Sequence, residues 1–189
     1  MENNLKNNTV LDLLFRAANR NPSKTYCKSA NHEFTYQQFI TACIKLANEI
    51  SNKNINKERI GIFLPNSILF LISYFAILIS GNRPALLNYL LPDFALGKLM
   101  DNLKPSLVIS DKALLKSQSI IVKIEDYLEF EESSINGTDF RCESTEVGAI
   151  LFSGGTTGIP KQINHSHKCI ISMVDRMEWG WPTNLNEKW

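Results

Sequence analysis

Residues 150 to 161 read Ile-Leu-Phe-Ser-Gly-Gly-Thr-Thr-Gly-Ile-Pro-Lys, an apolar run feeding a small, hydroxyl-rich loop closed by a lysine. Residue types in this order suit the binding of phosphate. Gly154, Gly155 and Gly158 let backbone N–H groups approach an anion with no Cβ in the way, and Ser153, Thr156 and Thr157 add hydroxyl donors. Lys161 supplies a compact positive charge. Two better-known phosphate loops do not fit. A Walker A loop needs Gly-Lys followed by Ser or Thr, whereas Lys161 follows Pro160 and precedes Gln162. A dinucleotide fingerprint needs Gly-x-Gly-x-x-Gly, but Gly154 and Gly155 are adjacent, and Pro160 has no N–H to offer. A Gly/Ser/Thr run after a strand also makes an ordinary turn; the Pro-Lys pair at its end sets this one apart.

Other reactive side chains make weaker patterns. His165-x-His167-x-Cys169 alternates along the chain and matches no common zinc spacing. A Ser153–His167 nucleophile pair lacks an identifiable acid and the Gly-x-Ser-x-Gly elbow. Glu131-Glu132 lies in a polar stretch and reads as a solvated face.

The elements that must position the loop follow from periodicity. Residues 9–20 read as a helix capped by Thr9, with Val10, Leu13, Leu14 and Ala17 on one face. Extended segments near 24–28 and 32–35 lead to a helix over 36–51, in which Phe39, Cys43, Leu46, Ala47 and Ile50 recur at helical spacing. The apolar stretch 60–81 resembles a membrane span until Pro65-Asn66 divides it. What remains is about 14 helical residues, roughly 21 Å against a hydrocarbon core of about 30 Å. It reads instead as strand 60–64, an N-cap at Asn66 or Ser67, a buried helix and Gly81 as its stop. A strand near 84–88, a helix near 93–102, strands at 106–110 and 120–124, and a polar excursion from Glu125 to Ser144 come next. Strand 147–152, with Leu151 expected inside, delivers the loop, and a helix over 166–178 is expected to turn Ile170, Val174 and Met177 inward. Helix after strand predicts an α/β fold, a mainly parallel sheet with helices on both faces and the loop exposed at the carboxyl edge of its strands.

Composition narrows the function classes. With 189 residues, 44% of them hydrophobic, the chain can bury a core, and 20 basic against 19 acidic side chains, without a run of either sign, give no reason to expect nucleic acid or an anionic membrane as partner. Cys27, Cys43, Cys142 and Cys169 have no Cys-x-x-Cys spacing, and the N-terminus lacks a signal-peptide core, which points to a reducing cytoplasm. Three Asn-x-Ser/Thr tripeptides, at Asn7, Asn136 and Asn164, then read as chance.

The loop resembles the phosphate-binding signature of the acyl-adenylate-forming (AMP-binding) enzymes: acyl-CoA synthetases, aryl-CoA ligases, peptide-synthetase adenylation domains and beetle luciferases. Its usual form there is Ser/Thr-Ser-Gly-Thr-Thr-Gly-x-Pro-Lys-Gly with a Ser-His pair shortly after, a place that Ser166-His167 fills. Gly154 replaces the usual serine, which removes one hydroxyl donor, and Gln162 replaces the usual glycine, which implies a different exit from the loop. Upstream the likeness is weaker. Glu33-Phe34-Thr35-Tyr36 is similar to the family's Leu-Thr-Tyr, Leu64-Pro65-Asn66-Ser67 to its Leu-Pro-Asn-Ser, and Gly81 through Asn88 to its Gly-x-x-x-x-Pro-Leu-Asn with Pro84 displaced. Asn88 leans toward the CoA-ligase branch.

The resemblance implies that residues 1–189 are the N-terminal portion of an adenylation domain. It implies ATP and Mg²⁺ as cofactors, a fatty or aryl carboxylic acid as substrate, and CoA or a carrier-protein thiol as acceptor. Thr156 or Thr157 would lie near Mg²⁺, and Lys161 would touch phosphate. The family's Tyr-Gly-x-Thr-Glu segment, ribose aspartate, hinge arginine and C-terminal lysine do not occur in the chain. The expectation is therefore a fragment that cannot complete catalysis unaided. The alternative is a noncatalytic remnant or interaction module that keeps the loop without turnover.

Overall fold

The computed structural model describes residues 9–114, 118–128, 146–153 and 160–180. Local signals start and stop its first helices. Helix α1 (Val10–Arg20) opens on a capping box in which the Thr9 hydroxyl accepts from the Asp12 amide and the Asp12 carboxylate accepts from the Thr9 amide. Strands β1 (Thr25–Lys28) and β2 (Glu33–Thr35) pair antiparallel, and Thr35 with Gln38 repeats the capping box at the start of α2 (Tyr36–Ser51). Strand β3 (Arg59–Phe63) leads through Pro65 to α3 (Ile68–Ile79), whose N-cap is Ser67. That helix ends in a Schellman motif. Gly81, at φ +74°, donates to the Leu78 carbonyl and Asn82 to that of Ile77.

Strand β4 (Arg83–Leu86), helix α4 (Asp93–Leu103), strands β5 (Leu107–Ser110) and β6 (Ser119–Ile121) follow. A 3-10 helix, Ile124–Tyr127, occupies part of the expected strand at 120–124 and the start of the polar excursion. Strand β7 (Val147–Phe152), strand β8 (Gln162–Ser166) and helix α5 (His167–Gly180) complete the described chain.

The main sheet has strand order β6-β5-β3-β4-β7-β8, parallel throughout except for β8, which runs antiparallel to β7. Alternation along β3 divides the core. Ile60 and Ile62 face a cluster built from α1, α2 and α3, whereas Phe63 faces a second one built on α4 with Ala85, Leu87, Val108 and Ile150. Helices therefore cover both faces, as the βα alternation predicts. The connection β3-α3-β4 runs over one face and β4-α4-β5 over the other. The chain thus changes sides between β3 and β4.

Several orientations differ from those the sequence predicts. Helix α1 buries Leu11, Leu14 and Ala18, and exposes Leu13. Apolar residues at 10, 11, 13, 14, 15, 17 and 18 make two overlapping stripes, and the one shared with Phe15 faces the core. Periodicity alone cannot choose between such stripes. Helix α5 buries Ile171, while Val174 and Met177 are exposed, the latter at 68%. Ile170 is half-buried against the Gly148 backbone. Leu151 lies outside rather than inside: it pairs with Ile163 across β7–β8, and the two are 37% and 44% exposed.

Candidate functional site

Strand β7 ends at the carboxyl edge of the parallel strands, where ligand loops gather in open α/β sheets. There the chain leaves the sheet at Ser153 and returns at Lys161. The Ser153 amide donates to the Lys161 carbonyl at 3.0 Å, and the Lys161 amide donates to Ser153 Oγ at 3.2 Å. This reciprocal pair closes the loop at its base, directly beyond the register pair Phe152–Gln162. Because Ser153 Oγ accepts from an amide, its own proton stays available to a ligand. Lys161 is exposed, and it forms no salt bridge with any described residue.

Gly154, Gly155, Thr156, Thr157 and Gly158 lie outside the described residues. Ser153 and Lys161 therefore frame the loop. Gln162, which stands where the resemblance leads one to expect glycine, is the first residue of β8, and its Nε2 donates to Asn164 Oδ1 at 2.8 Å. The exit from the loop is thus an antiparallel strand. Nothing in the periodicity of Gln-Ile-Asn-His-Ser announced it, because five residues with one aliphatic side chain carry no alternation to read.

His167 anchors the far end of this hairpin. Its amide donates to the Glu146 carbonyl at 3.1 Å, and its ring, fully buried, accepts at Nδ1 from the Val10 amide at 3.3 Å. An acceptor at Nδ1 requires a lone pair there, so the ring is the neutral tautomer protonated at Nε2. Burial holds its pKa below the usual histidine value, against the opposing pull of Glu146 and Asp12. Gly148 makes the seat: a Cβ there would stand 2.9 Å from Ile170 Cδ1 and 3.0 Å from His167 Nδ1. His165 and Cys169 point elsewhere, with His165 Nδ1 at 3.5 Å from the exposed Cys169 Sγ. His167 therefore does not join them around a common centre.

The comparisons with known proteins accord with this arrangement. The family model described as AMP-binding enzyme matches residues 14–188. The chain belongs to the AMP-binding enzyme family. It is similar to the long-chain-fatty-acid–CoA ligase of Bacillus subtilis, 24% identical over 97% of this chain and 40% of that protein. It is also similar to the D-alanine–D-alanyl carrier protein ligase of Lactococcus lactis, 21% identical over 89% of this chain and 35% of that one. Among solved structures, o-succinylbenzoate CoA synthetase from Bacillus subtilis, in complex with its acyl-adenylate intermediate, superposes with a TM-score of 0.79 at 15% identity over 93% of this chain and 47% of that one. The chain thus spans less than half the length of each. No helix among the described residues is long and apolar enough to cross a membrane.

Proposed function

We propose that residues 1–189 form the N-terminal portion of an adenylation domain, and that the Ser153–Lys161 loop holds the β- and γ-phosphates of ATP while a carboxylic acid is activated. In the first step a carboxylate oxygen bonds to the α-phosphorus, the bond to the bridging oxygen breaks, and acyl-adenylate and pyrophosphate result. A thiol of CoA or of a carrier protein then takes the acyl group and AMP leaves. The loop acts in the first step, where negative charge grows on the departing pyrophosphate. The observation that carries this reading is the Ser153–Lys161 closure at the carboxyl edge, which sets a hydroxyl proton and an exposed ammonium, paired with no acidic side chain among the described residues, at the two ends of one loop.

Those donors suit an anion. Mg²⁺ binds oxygen and keeps several waters, so it would be held through the phosphates and the hydroxyl of Thr156 or Thr157, and when bound it supplies neutralising charge. Ser153 donates to phosphate, Lys161 balances its charge, and Pro160 limits the freedom of the return strand. His167 fixes that strand's far end and touches no reacting atom. The reading places the protein in the cytoplasm, where ATP and CoA are supplied.

Fusing residues 1–189 to the part of the Bacillus subtilis ligase beyond the matched segment tests this directly. Acid-dependent exchange of labelled pyrophosphate into ATP is the expected result, slowed by Lys161→Ala. Exchange that is indifferent to Lys161 would remove the phosphate role.

A further inference from the structure

At the amino edge of the main sheet, opposite the edge that carries the Ser153–Lys161 loop, β3 and β4 begin side by side on two arginines. Arg59 and Arg83 are register partners in the parallel pairing, so their side chains leave the same face of the sheet. That face is the one under α4: two residues further on, Gly61 and Ala85 pair in the same phase, and Ala85 packs in the cluster built on α4. Where α4 ends, Arg59 Nη1 donates to the Leu103 carbonyl at 3.0 Å. This bond holds a half-buried guanidinium at a helix C-terminus and takes one of its five donors.

Like charges on neighbouring strands repel, and no described acid neutralises these two. Neither arginine forms a salt bridge, and the exposed Arg83 side chain has no partner among the described residues. The acids at hand, Glu58 and Asp101, pair with neither: Glu58 Oε2 accepts from Ser106 Oγ at 3.2 Å, and Asp101 is exposed in the last turn of α4. Two lysines extend the charge. Lys57, two residues before Arg59, and Lys104, next to Leu103, are exposed, and both hold positive φ, +56° and +48°, where glycine or asparagine is the usual residue. Strand pairing and the end of α4 thus assemble from three separate stretches a basic row that no run in the sequence contains.

We propose that Arg59 and Arg83 form a binding site for one dianionic oxyanion of the phosphate class, with Lys57 and Lys104 adding to its field. Guanidinium forks present paired N–H donors that match phosphate oxygens, and a dianion between the two removes their mutual repulsion. The site lies at the opposite edge of the sheet from the Ser153–Lys161 loop and does not depend on the adenylation reading.

Titration of the 189-residue chain with inorganic phosphate at pH 7.5, against chloride at matched ionic strength, tests it by phosphorus NMR and by the thermal midpoint. Phosphate should bind and raise the midpoint beyond the chloride control. Arg83→Gln should weaken that binding about two- to tenfold, the range of one exposed charge-assisted contact, and should flatten the phosphate dependence of the midpoint. Without phosphate, Arg83→Gln should be at least as stable as the native chain, since it removes a repulsion and breaks no contact. Glycerol phosphate in place of inorganic phosphate separates the two sources of such an anion: tighter binding assigns the site to the phosphoryl end of a larger molecule, equal or weaker binding to the free ion, and either upholds it. Phosphate that binds Arg83→Gln as tightly as the native chain, or chloride that shifts the midpoint equally, overturns the site. Lys161→Ala keeps the two anion sites apart, because a phosphate signal lost in that variant and kept in Arg83→Gln belongs to the loop alone and overturns the amino-edge site.

Discussion

The Val10 amide donates to Nδ1 of His167, joining the first turn of α1 to the first residue of α5 across 157 positions of sequence. The hairpin that carries the Ser153–Lys161 loop, the proposed phosphate site, is thereby tied to the helical layer at the front of the chain. The ring can accept this bond only while neutral.

Acid should release that tie. The folded-state pKa of His167 is lowered, so folded His167 binds a proton less readily than the unfolded chain does. Its contribution is fully present above the unfolded value of about 6.5 and is lost as pH falls through the folded value. Urea unfolding at pH 7.5, 6.0 and 5.0 should show the native chain losing more stability than His167→Gln, which can accept from Val10 but does not titrate. Parallel losses in the two proteins would refute the assignment.

Gly148 must stay small. Gly148→Ala places a methyl group 2.9 Å from Ile170 Cδ1 and 3.0 Å from the His167 ring, and overpacking of this kind costs about 1–3 kcal/mol. Gly97→Ala, with nothing within 4 Å of the new Cβ on α4, should instead stabilise by roughly 0.5–1 kcal/mol. Denaturant midpoints check both, and a shared sign would contradict the packing described.

Ser73 offers a gain. Its hydroxyl is buried on α3 with no partner among the described residues. A buried hydroxyl without a hydrogen bond costs about 1–3 kcal/mol, so Ser73→Ala should raise the thermal midpoint by a few degrees. A lower midpoint would mean that the hydroxyl has a partner.

How much of this was legible in the sequence depended on whether one stretch of chain held the answer. The cap at Thr9, the stop at Gly81 and strand β7 are local, and each is where the pattern puts it, while of the two caps the sequence offers after Pro65, Asn66 and Ser67, the helix uses Ser67. The Ser-Gly-Gly-Thr-Thr-Gly-x-Pro-Lys motif likewise gave the family. Long-range relations were not legible. Which stripe of α1 faces inward is decided by tertiary packing, and the exposure of Leu151 and Val174 depends on what lies beside β7–β8 and α5. The Val10–His167 hydrogen bond joins residues 157 positions apart, and no local pattern announces it.

The most direct measurement of the central claim compares the affinities of ATP, pyrophosphate and AMP for the chain, before and after Lys161→Ala. Hydrogen bonds to charged groups contribute about 1.5–3 kcal/mol, so ATP and pyrophosphate should each bind on the order of ten- to a hundredfold more weakly. AMP, which has no β- or γ-phosphate, should bind as before. An equal loss for all three ligands, or no loss for any, would contradict a loop that holds the departing pyrophosphate.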